Sequence, residues 1–546
     1  MVFTCIICFI LKHSKPFGNG IDNVKKVCYN HFMNSNAAAV KTLKQSFLPS
    51  HYQQAVFDWA KNGGNAAVVN AVAGGGKTST LIELSKLINT KDALFVAFNV
   101  NIVKELQSRL GTGFTATTIN SLGNRALMNS IKGYKGMATA RKYNSILFPL
   151  VTESGRIEKK DIYVTISRIE DFIKKGMADL SDWSDESLTT VSDHYGLEFP
   201  KKFSTAETFD MVRQAVKIGE RQVEAGIINF DEQIYCPVKL QIRPVQASFL
   251  MVDEGQDLSK SKLELVLSAI KPGGRFLAVA DKFQSIYGFC GADAGAVDNI
   301  IARTNAIQLP LSVSYRCSKA VVNHAQELVP HIEAAPNAPE GTVGWVSESE
   351  LLKNVKAGDF VLCRKTAPLV GMCIKFLKNR IPAKVKGKDI GKQLVDVAKD
   401  ALNGRYNWNQ LDMALDAYLS AQVTRLMERP NSEKAIIALQ DKVEGVRVIA
   451  SGFRSVSLEA FEQEINKLFK GDDENTPGVV EMSTVHKAKG LEADTVYIIE
   501  PSCLPLYWKG QQDWEKIQEN NIDYVARTRA RLNLFYVESD PKVDSE

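Results

Sequence analysis

The sequence predicts an α/β fold built on parallel sheets, and three observations carry that expectation. Short apolar runs recur along the chain, several ending in a polar or charged residue, as strands buried on both faces of a sheet do. Segments of helical periodicity alternate with these runs. A glycine-rich turn, Gly74-Gly75-Gly76, stands between the first run and the helix that follows it.

Residues 66–72 form the first strand candidate, and residues 78–88 read as the next helix. Residues 93–98 and 102–110 repeat that strand-helix order. Later strand candidates are 249–252, 276–280, 360–363, 495–499 and 534–537. They fall into two clusters, 65–310 and 311–540, each interrupted by a helical stretch. The first interruption, 124–228, opens on Lys132, Tyr134, Lys135, Arg141, Lys142 and Tyr143 and carries an acidic patch at Asp179, Asp182, Asp185 and Glu186. The second, 391–474, closes on the polar turn Gly471-Asp472-Asp473-Glu474. No repeat of solenoid period is present.

At 546 residues the chain exceeds one ordinary domain, and domain sizes suggest roughly three to five units. With 24% charged and 45% hydrophobic residues it is neither disordered nor collagen-like. A formal charge of +5 leaves room for a local nucleic-acid surface without requiring one. Nine cysteines, an odd number, fit a reducing compartment. The apolar run 1–11 is shorter than the ~20 residues that span a bilayer, and it lacks a basic start. The expectation is a soluble, intracellular protein with no membrane partner. Residues 1–44 read as an extension. Cys5, Cys8, Cys28 and His31 can be written as a zinc pattern, but the long intervening span and Ile6-Ile7 in the first knuckle favour an ill-ordered segment. Met33 is an alternative start of translation.

The string Ala71-Val72-Ala73-Gly74-Gly75-Gly76-Lys77-Thr78 has the setting of a Walker A loop, although Ala71 stands where the general pattern has glycine. Glycines let successive N–H groups and a helix N-terminus face phosphates. Lys77 would reach the terminal phosphates and Thr78 would hold Mg2+. The run 249–252 then ends in Asp253-Glu254. Asp253 is placed to bind Mg2+, and Glu254 to polarise an attacking water. Together the two elements predict nucleoside triphosphate hydrolysis.

Further strings follow in order: Asp253-Glu254-Gly255-Gln256-Asp257, then residues 280–292 with Gln284, Tyr287 and Phe289, then Ser314-Tyr315-Arg316-Cys317. Thr484-Val485-His486-Lys487-Ala488-Lys489-Gly490-Leu491-Glu492 and Tyr524-Val525-Ala526-Arg527-Thr528-Arg529-Ala530 complete the series. In this order, across residues 49–540, the motifs resemble the Rep/UvrD-like superfamily 1 DNA helicase family. The resemblance implies two RecA-like P-loop NTPase domains in tandem, with ATP between them and a mainly helical subdomain inserted in each. Its expected boundaries are 45–123 plus 229–309 for motor domain 1A, with 124–228 as 1B. Motor domain 2A would be 310–390 plus 475–546, with 391–474 as 2B.

The resemblance also implies roles. Ala73, Gly74, Gly75, Gly76, Lys77, Thr78 and Ser79 would cradle the phosphates. Gln53, or its neighbour Gln54, would read adenine, Tyr315 would stack on the base, and Glu492 would face the nucleotide. Glu254, Gln284, Arg316 and Arg529 form the expected catalytic set, the two arginines neutralising charge on the transferred phosphoryl group once the domains close. Phe98, Asn99, Thr117 and Asn120 would track single-stranded DNA on the first domain. Tyr287 and Phe289 would form a base-stacking platform. Arg364, Thr366, Thr484 and His486 would contact the strand on the second.

Two positions depart from the family pattern: Cys290 replaces a usual arginine, and Asn120 a common histidine. A basic run, Lys375, Lys378, Arg380, Lys384, Lys386, Lys388 and Lys392, reads either as solvated surface or as a phosphate-facing strip. The expected activity is that of an ATP- and Mg2+-dependent translocase on single-stranded DNA that unwinds forked duplex DNA, with 3′→5′ polarity by resemblance alone. Replication or repair proteins are the expected partners, in the cytoplasm or nucleoid of a prokaryote or phage-infected cell. An RNA-directed motor, or an ATP-gated clamp or translocase without strand separation, are the alternatives. Oligomeric state, pathway and host stay open.

Overall fold

In the computed structural model the alternating apolar runs become strands of two parallel sheets. The structure describes residues 47–98, 100–159, 161–195, 197, 199–200, 202–286, 295–427, 432–471 and 477–538. The zinc pattern, Met33, Asn99, Tyr287, Phe289, Cys290 and residues 472–474 lie outside the described residues.

The first sheet contains β1 (Ala66–Ala71), β2 (Ala93–Ala97), β3 (Phe114–Thr118), β4 (Ala247–Val252), β5 (Ile270–Ala280) and β6 (Ile307–Leu311), in the order β3-β2-β4-β5-β1-β6. Alternate residues of each strand enter opposite cores. Val69, Phe95 and Phe249 pack with Phe57 and Leu81 on one face, whereas Val68, Val96 and Leu250 pack with Leu122 and Ile300 on the other. Because β4, β5 and β1 are adjacent and parallel, the residues that follow them emerge side by side at one edge. This topology brings the glycine loop, Asp253 and Asp281 together.

A two-stranded pair, β7 (Val313–Ser314) and β8 (Glu333–Ala334), precedes the second sheet. That sheet holds β9 (Thr342–Ser347), β10 (Phe360–Cys363), β11 (Ala383–Lys386), β12 (Phe469–Lys470), β13 (Val480–Thr484), β14 (Ala493–Ile499) and β15 (Ala530–Glu538). Its order is β12-β11-β13-β10-β14-β15-β9. Residues 469–470, expected within the second helical insertion, instead form an edge strand of this sheet beside β11.

Four helices, Lys142–Thr152, Ile162–Asp179, Asp185–Tyr195 and Thr205–Glu224, fill the first insertion around a core that includes Leu147, Ile166, Phe172 and Val212. The basic and aromatic opening of this segment is half interior, with Lys132, Lys135 and Arg141 exposed. Tyr134, Lys142 and Tyr143 are buried, and Lys142 Nζ donates to both Glu232 carboxylate oxygens, at 2.7 and 2.8 Å. It also donates to the Gly219 and Ile227 carbonyls, each at 2.8 Å, while the Tyr143 hydroxyl donates to Glu232 Oε1 at 2.8 Å. The chain enters the insertion through helix Ile119–Ser130 and leaves it through helix Glu232–Lys239. At Gly123 a Cβ would lie 1.9 Å from the Gln233 carbonyl oxygen, so only glycine allows these two helices their approach.

Helices Lys388–Leu402, Leu411–Met427, Glu433–Gly452 and Leu458–Leu468 form the second insertion. Leu394, Leu415, Val446 and Phe461 from these helices join Val361, Val385 and Met482 of the second sheet in one core. Among the described residues, no helix is long and apolar enough to cross a membrane.

Candidate nucleotide site

The loop after β1 turns into helix Lys77–Leu87 with Gly74 and Gly76 at φ of 71° and 73°, a region that side chains strain to reach. A Cβ on Gly74 would lie 2.5 Å from Arg316 Cβ and 2.7 Å from Ser314 Oγ. Absence of that carbon lets the segment following β7 press onto the loop, where Tyr315 N donates to the Gly74 carbonyl at 2.9 Å.

Lys77 Nζ lies 3.1 Å from Glu254 Oε2, and Thr78 Oγ1 donates to Asp253 Oδ2 at 3.2 Å. The hydroxyl and carboxylate oxygens of Thr78 and Asp253 converge as hard ligands that suit a divalent ion such as Mg2+. Glu254 adopts a left-handed backbone, φ 52°, as the chain turns away from β4. Burial followed by the Glu254 charge raises the Asp253 pKa. Burial also pushes Glu254 upward, but the Lys77 and Lys489 charges and the hydrogen bonds from Gln256 and Lys77 outweigh it and hold Glu254 below the usual range. Lys77 stays protonated because Glu254, Asp281 and Asp253 surround it and overcome its burial.

A chain of amides extends from this centre. Gln256 Nε2 donates to Glu254, and its side-chain Oε1 accepts from Asp281 N at 2.9 Å. Gln284 Nε2 in turn donates to Asp281 Oδ2 at 2.6 Å. Burial raises Asp281 to about 6. Asp281 joins the site without an expected role, although it ends an apolar run just as Asp253 does. Gln53 is buried with its amide donating to Thr80 Oγ1 at 3.0 Å, behind Gly76.

Both halves of the chain line one cleft of about 820 Å³. From the first half come Gly74, Gly75, Gly76, Lys77, Thr78, Ser79, Phe98, Glu254 and Gln284; from the second come Tyr315, Arg316, Glu492 and Arg529. Arg316 Nε lies 2.5 Å from Glu492 Oε2, out of line for a hydrogen bond. Arg529 is almost fully buried and donates to the Val525 and Leu491 carbonyls at 2.9 and 3.1 Å. Burial, then the neighbouring Arg316 charge, brings its pKa down to about 10. Tyr315 is half exposed, with its ring free to meet a flat ligand at the mouth of the cleft.

Two cross-cleft contacts were not anticipated. The Tyr524 hydroxyl accepts from Ala73 N at 2.9 Å, which fixes the start of the glycine loop to the second half. Lys489 Nζ donates to Asp257 Oδ2 at 2.7 Å. All four residues stand in the recognised motif strings, so the signal was present, but pairing across more than 200 positions leaves no local trace.

The expected strand-contacting residues divide. Phe98 lines the cleft, with Lys262 Nζ 5.1 Å above its ring. Asn120 Nδ2 donates to the Phe230 carbonyl at 3.2 Å. Thr117 differs from the expectation, because its side chain is buried and its hydroxyl donates to the Thr118 carbonyl at 3.3 Å. Arg364 is held in a two-pronged pair with Glu519, at 2.9 and 2.6 Å, so its charge is already matched. Thr366 starts helix Thr366–Lys378, whose first N–H groups are capped by Asp441 from the second insertion. Thr484 is buried at the end of β13, and His486 is partly buried beside it. The basic run is also divided: Lys375 pairs with Glu348, while buried Lys386 lies 3.5 Å from Glu481. Only part of the run is therefore open surface.

Comparison with known proteins agrees with this geometry. The UvrD/REP helicase N-terminal domain family matches residues 53–304. F-box DNA helicase protein 1 of Schizosaccharomyces pombe is 23% identical over 524 residues, covering 88% of this chain and 56% of that protein. ATP-dependent DNA helicase PcrA of Staphylococcus epidermidis is 22% identical over 502 residues, covering 70% and 66%. ATP-dependent DNA helicase Rep of Salmonella typhimurium is 24% identical over 294 residues, covering 48% and 41%. The chain thus spans about half the length of the first curated relatives it matches. With its ordered motifs and its glycine loop facing Asp253 and Glu254, the chain is similar to the Rep/UvrD-like helicases of superfamily 1, and residues 53–304 match the N-terminal domain of that family.

Proposed function

We propose that the protein is an ATP-dependent translocase on single-stranded DNA that separates duplexes in the 3′→5′ direction, with 45–123 plus 229–309 and 310–390 plus 475–546 as its two motor domains. The carrying observation is that Arg316 and Arg529 share one cleft with Lys77, Thr78 and Glu254. Residues of the two halves can then act together only while that cleft is closed.

Lys77 and the N–H groups of the glycine loop bind the phosphates, and the Thr78 and Asp253 oxygens hold Mg2+. An ion held there would supply charge neutralisation for the bound phosphates. Glu254, kept ionised, orients the attacking water, and Gln284 reaches the same point from the Asp281 side. Arg316 and Arg529 stabilise the charge that develops on the transferred group. Opening of the cleft withdraws both arginines, which couples turnover to movement along the strand. The relatives named as DNA helicases support the choice of DNA and of strand separation.

The test is ATP turnover with and without single-stranded DNA, followed by unwinding of duplexes carrying a 3′ or a 5′ tail. Lys77→Ala and Glu254→Gln are expected to abolish DNA-stimulated turnover, and only the 3′-tailed substrate is expected to open. Near-normal unwinding by both variants would defeat the motor reading; opening of only the 5′-tailed duplex would reverse its polarity.

A further inference from the structure

Three separate parts of the chain meet at an aromatic and basic cluster away from the nucleotide cleft. Trp514 lies in helix Asp513–Arg527 of the second half, and the His194 ring from the first insertion stacks on it with centroids 5.4 Å apart and planes 29° apart. Lys434, from the second insertion, lies 5.6 Å from the Trp514 ring and 5.1 Å from the Trp508 ring, so one ammonium joins both indoles. Its other partner is Glu515, at 2.8 Å.

The position of this cluster points to a strand. Gln518, one turn after Trp514 and on the same side of the helix, donates to the Ile286 carbonyl at 2.9 Å. Arg364 and Lys434 both lie close enough to His486 for their charges to act on its ring. The cluster therefore borders Arg364 and His486, which the family resemblance implies as strand contacts on the second half of the molecule.

The chemistry is that of single-strand binding: flat π-faces for bases and an adjacent cation for phosphate. Trp514 already holds a flat heterocycle at stacking distance, supplied by the protein itself. Lys434 is 42% exposed along its side chain, which leaves its ammonium able to exchange Glu515 for a phosphate. We propose that Trp514, with Trp508 and Lys434 beside it, is a base-stacking site for single-stranded DNA, and that His194 of the first insertion occupies this site until a base displaces it. This rests on the DNA-motor reading. Displacement of His194 would release one tie between the first insertion and the second half, so that strand entry and movement of the insertion become one event.

The experiment measures binding of a fluorescein-labelled oligothymidylate to the full chain by anisotropy, without nucleotide, for the wild type, Trp514→Ala, Trp514→Phe and His194→Ala. Loss of one stacking partner should weaken binding by about tenfold in Trp514→Ala, whereas Trp514→Phe keeps a π-face and retains most of the affinity. His194→Ala removes the competitor and should tighten binding by severalfold. Wild-type affinity in Trp514→Ala, or weaker binding in His194→Ala, would overturn the proposal. ATP binding without DNA serves as the folding control for Trp514→Ala; if that control fails, the sign of the His194→Ala effect decides. Absence of any oligothymidylate binding by the wild type would instead remove the DNA-motor reading itself.

Discussion

Lys489 and Asp257 form an ion pair across the nucleotide cleft, at 2.7 Å, with each side chain only 9% exposed. Asp257 follows β4 in the first half and Lys489 follows β13 in the second, so the pair exists only when the two sheets are close. Asp257 Oδ1 has no hydrogen-bond partner, which leaves Lys489 as the main compensation for that buried carboxylate.

Lys489→Met should therefore destabilise the fold by about 3–5 kcal/mol, since it strands a buried charge. Lys489→Met combined with Asp257→Asn should recover part of that loss, because the charge to be compensated is gone. Urea unfolding of the two variants measures the difference. An equal loss in both would show that the pair is not the source of the effect.

Tyr524→Phe tests the link between the second half and the phosphate loop. It removes the acceptor for Ala73 N, and a buried unpaired N–H costs about 1–3 kcal/mol. Nucleotide affinity is expected to fall by about tenfold, read with a fluorescent ATP analogue. The phenylalanine keeps the ring packing, so an unchanged affinity would mean that the hydrogen bond does not position the loop.

The first insertion depends on one buried carboxylate. Glu232 accepts from Lys142, Tyr143 and Asn229 N, and Lys142 is itself buried. Glu232→Gln should cost about 3–5 kcal/mol by leaving the ammonium without its counter-charge. Limited proteolysis should then cut first within residues 124–228, before either sheet is attacked. Simultaneous cleavage throughout the chain would contradict a local role.

His486 gives a pH dependence with a defined sign. Burial first, then the Arg364 and Lys434 charges, lower its pKa from 6.5 to about 3. Because the folded value is the lower one, the unfolded chain takes up the proton first. Its contribution is thus fully present above pH ~6.5 and is lost as pH falls towards ~3. The thermal midpoint of the wild type should decrease between about pH 6.5 and 4, and His486→Asn should flatten that decrease. Identical slopes would exclude His486 as the group responsible.

Much of this molecule is legible one segment at a time. The run 360–363 and the run ending at Asp253 appear as strands because both faces are buried, and the glycine loop announces itself by composition. Strands such as β9 and β11 escaped notice because exposed or charged residues interrupt their apolar pattern; β11 includes Lys384 and Lys386. Charge was the least reliable guide. Lys142 and Lys386 look like surface residues in the sequence but are buried against Glu232 and Glu481, partners that no nearby spacing reveals.

Val72 and Ala73, from the phosphate loop, pack in the apolar cluster formed by Cys317, Val321, Tyr524 and Val525 of the second half. The loop is thus finished by side chains that arrive hundreds of residues later. An isolated N-terminal fragment ending near residue 309 would present this apolar pair to water and leave the Ala73 amide without its phenolic partner. Reconstitution from two separately produced fragments should consequently restore nucleotide capture that neither fragment achieves by itself.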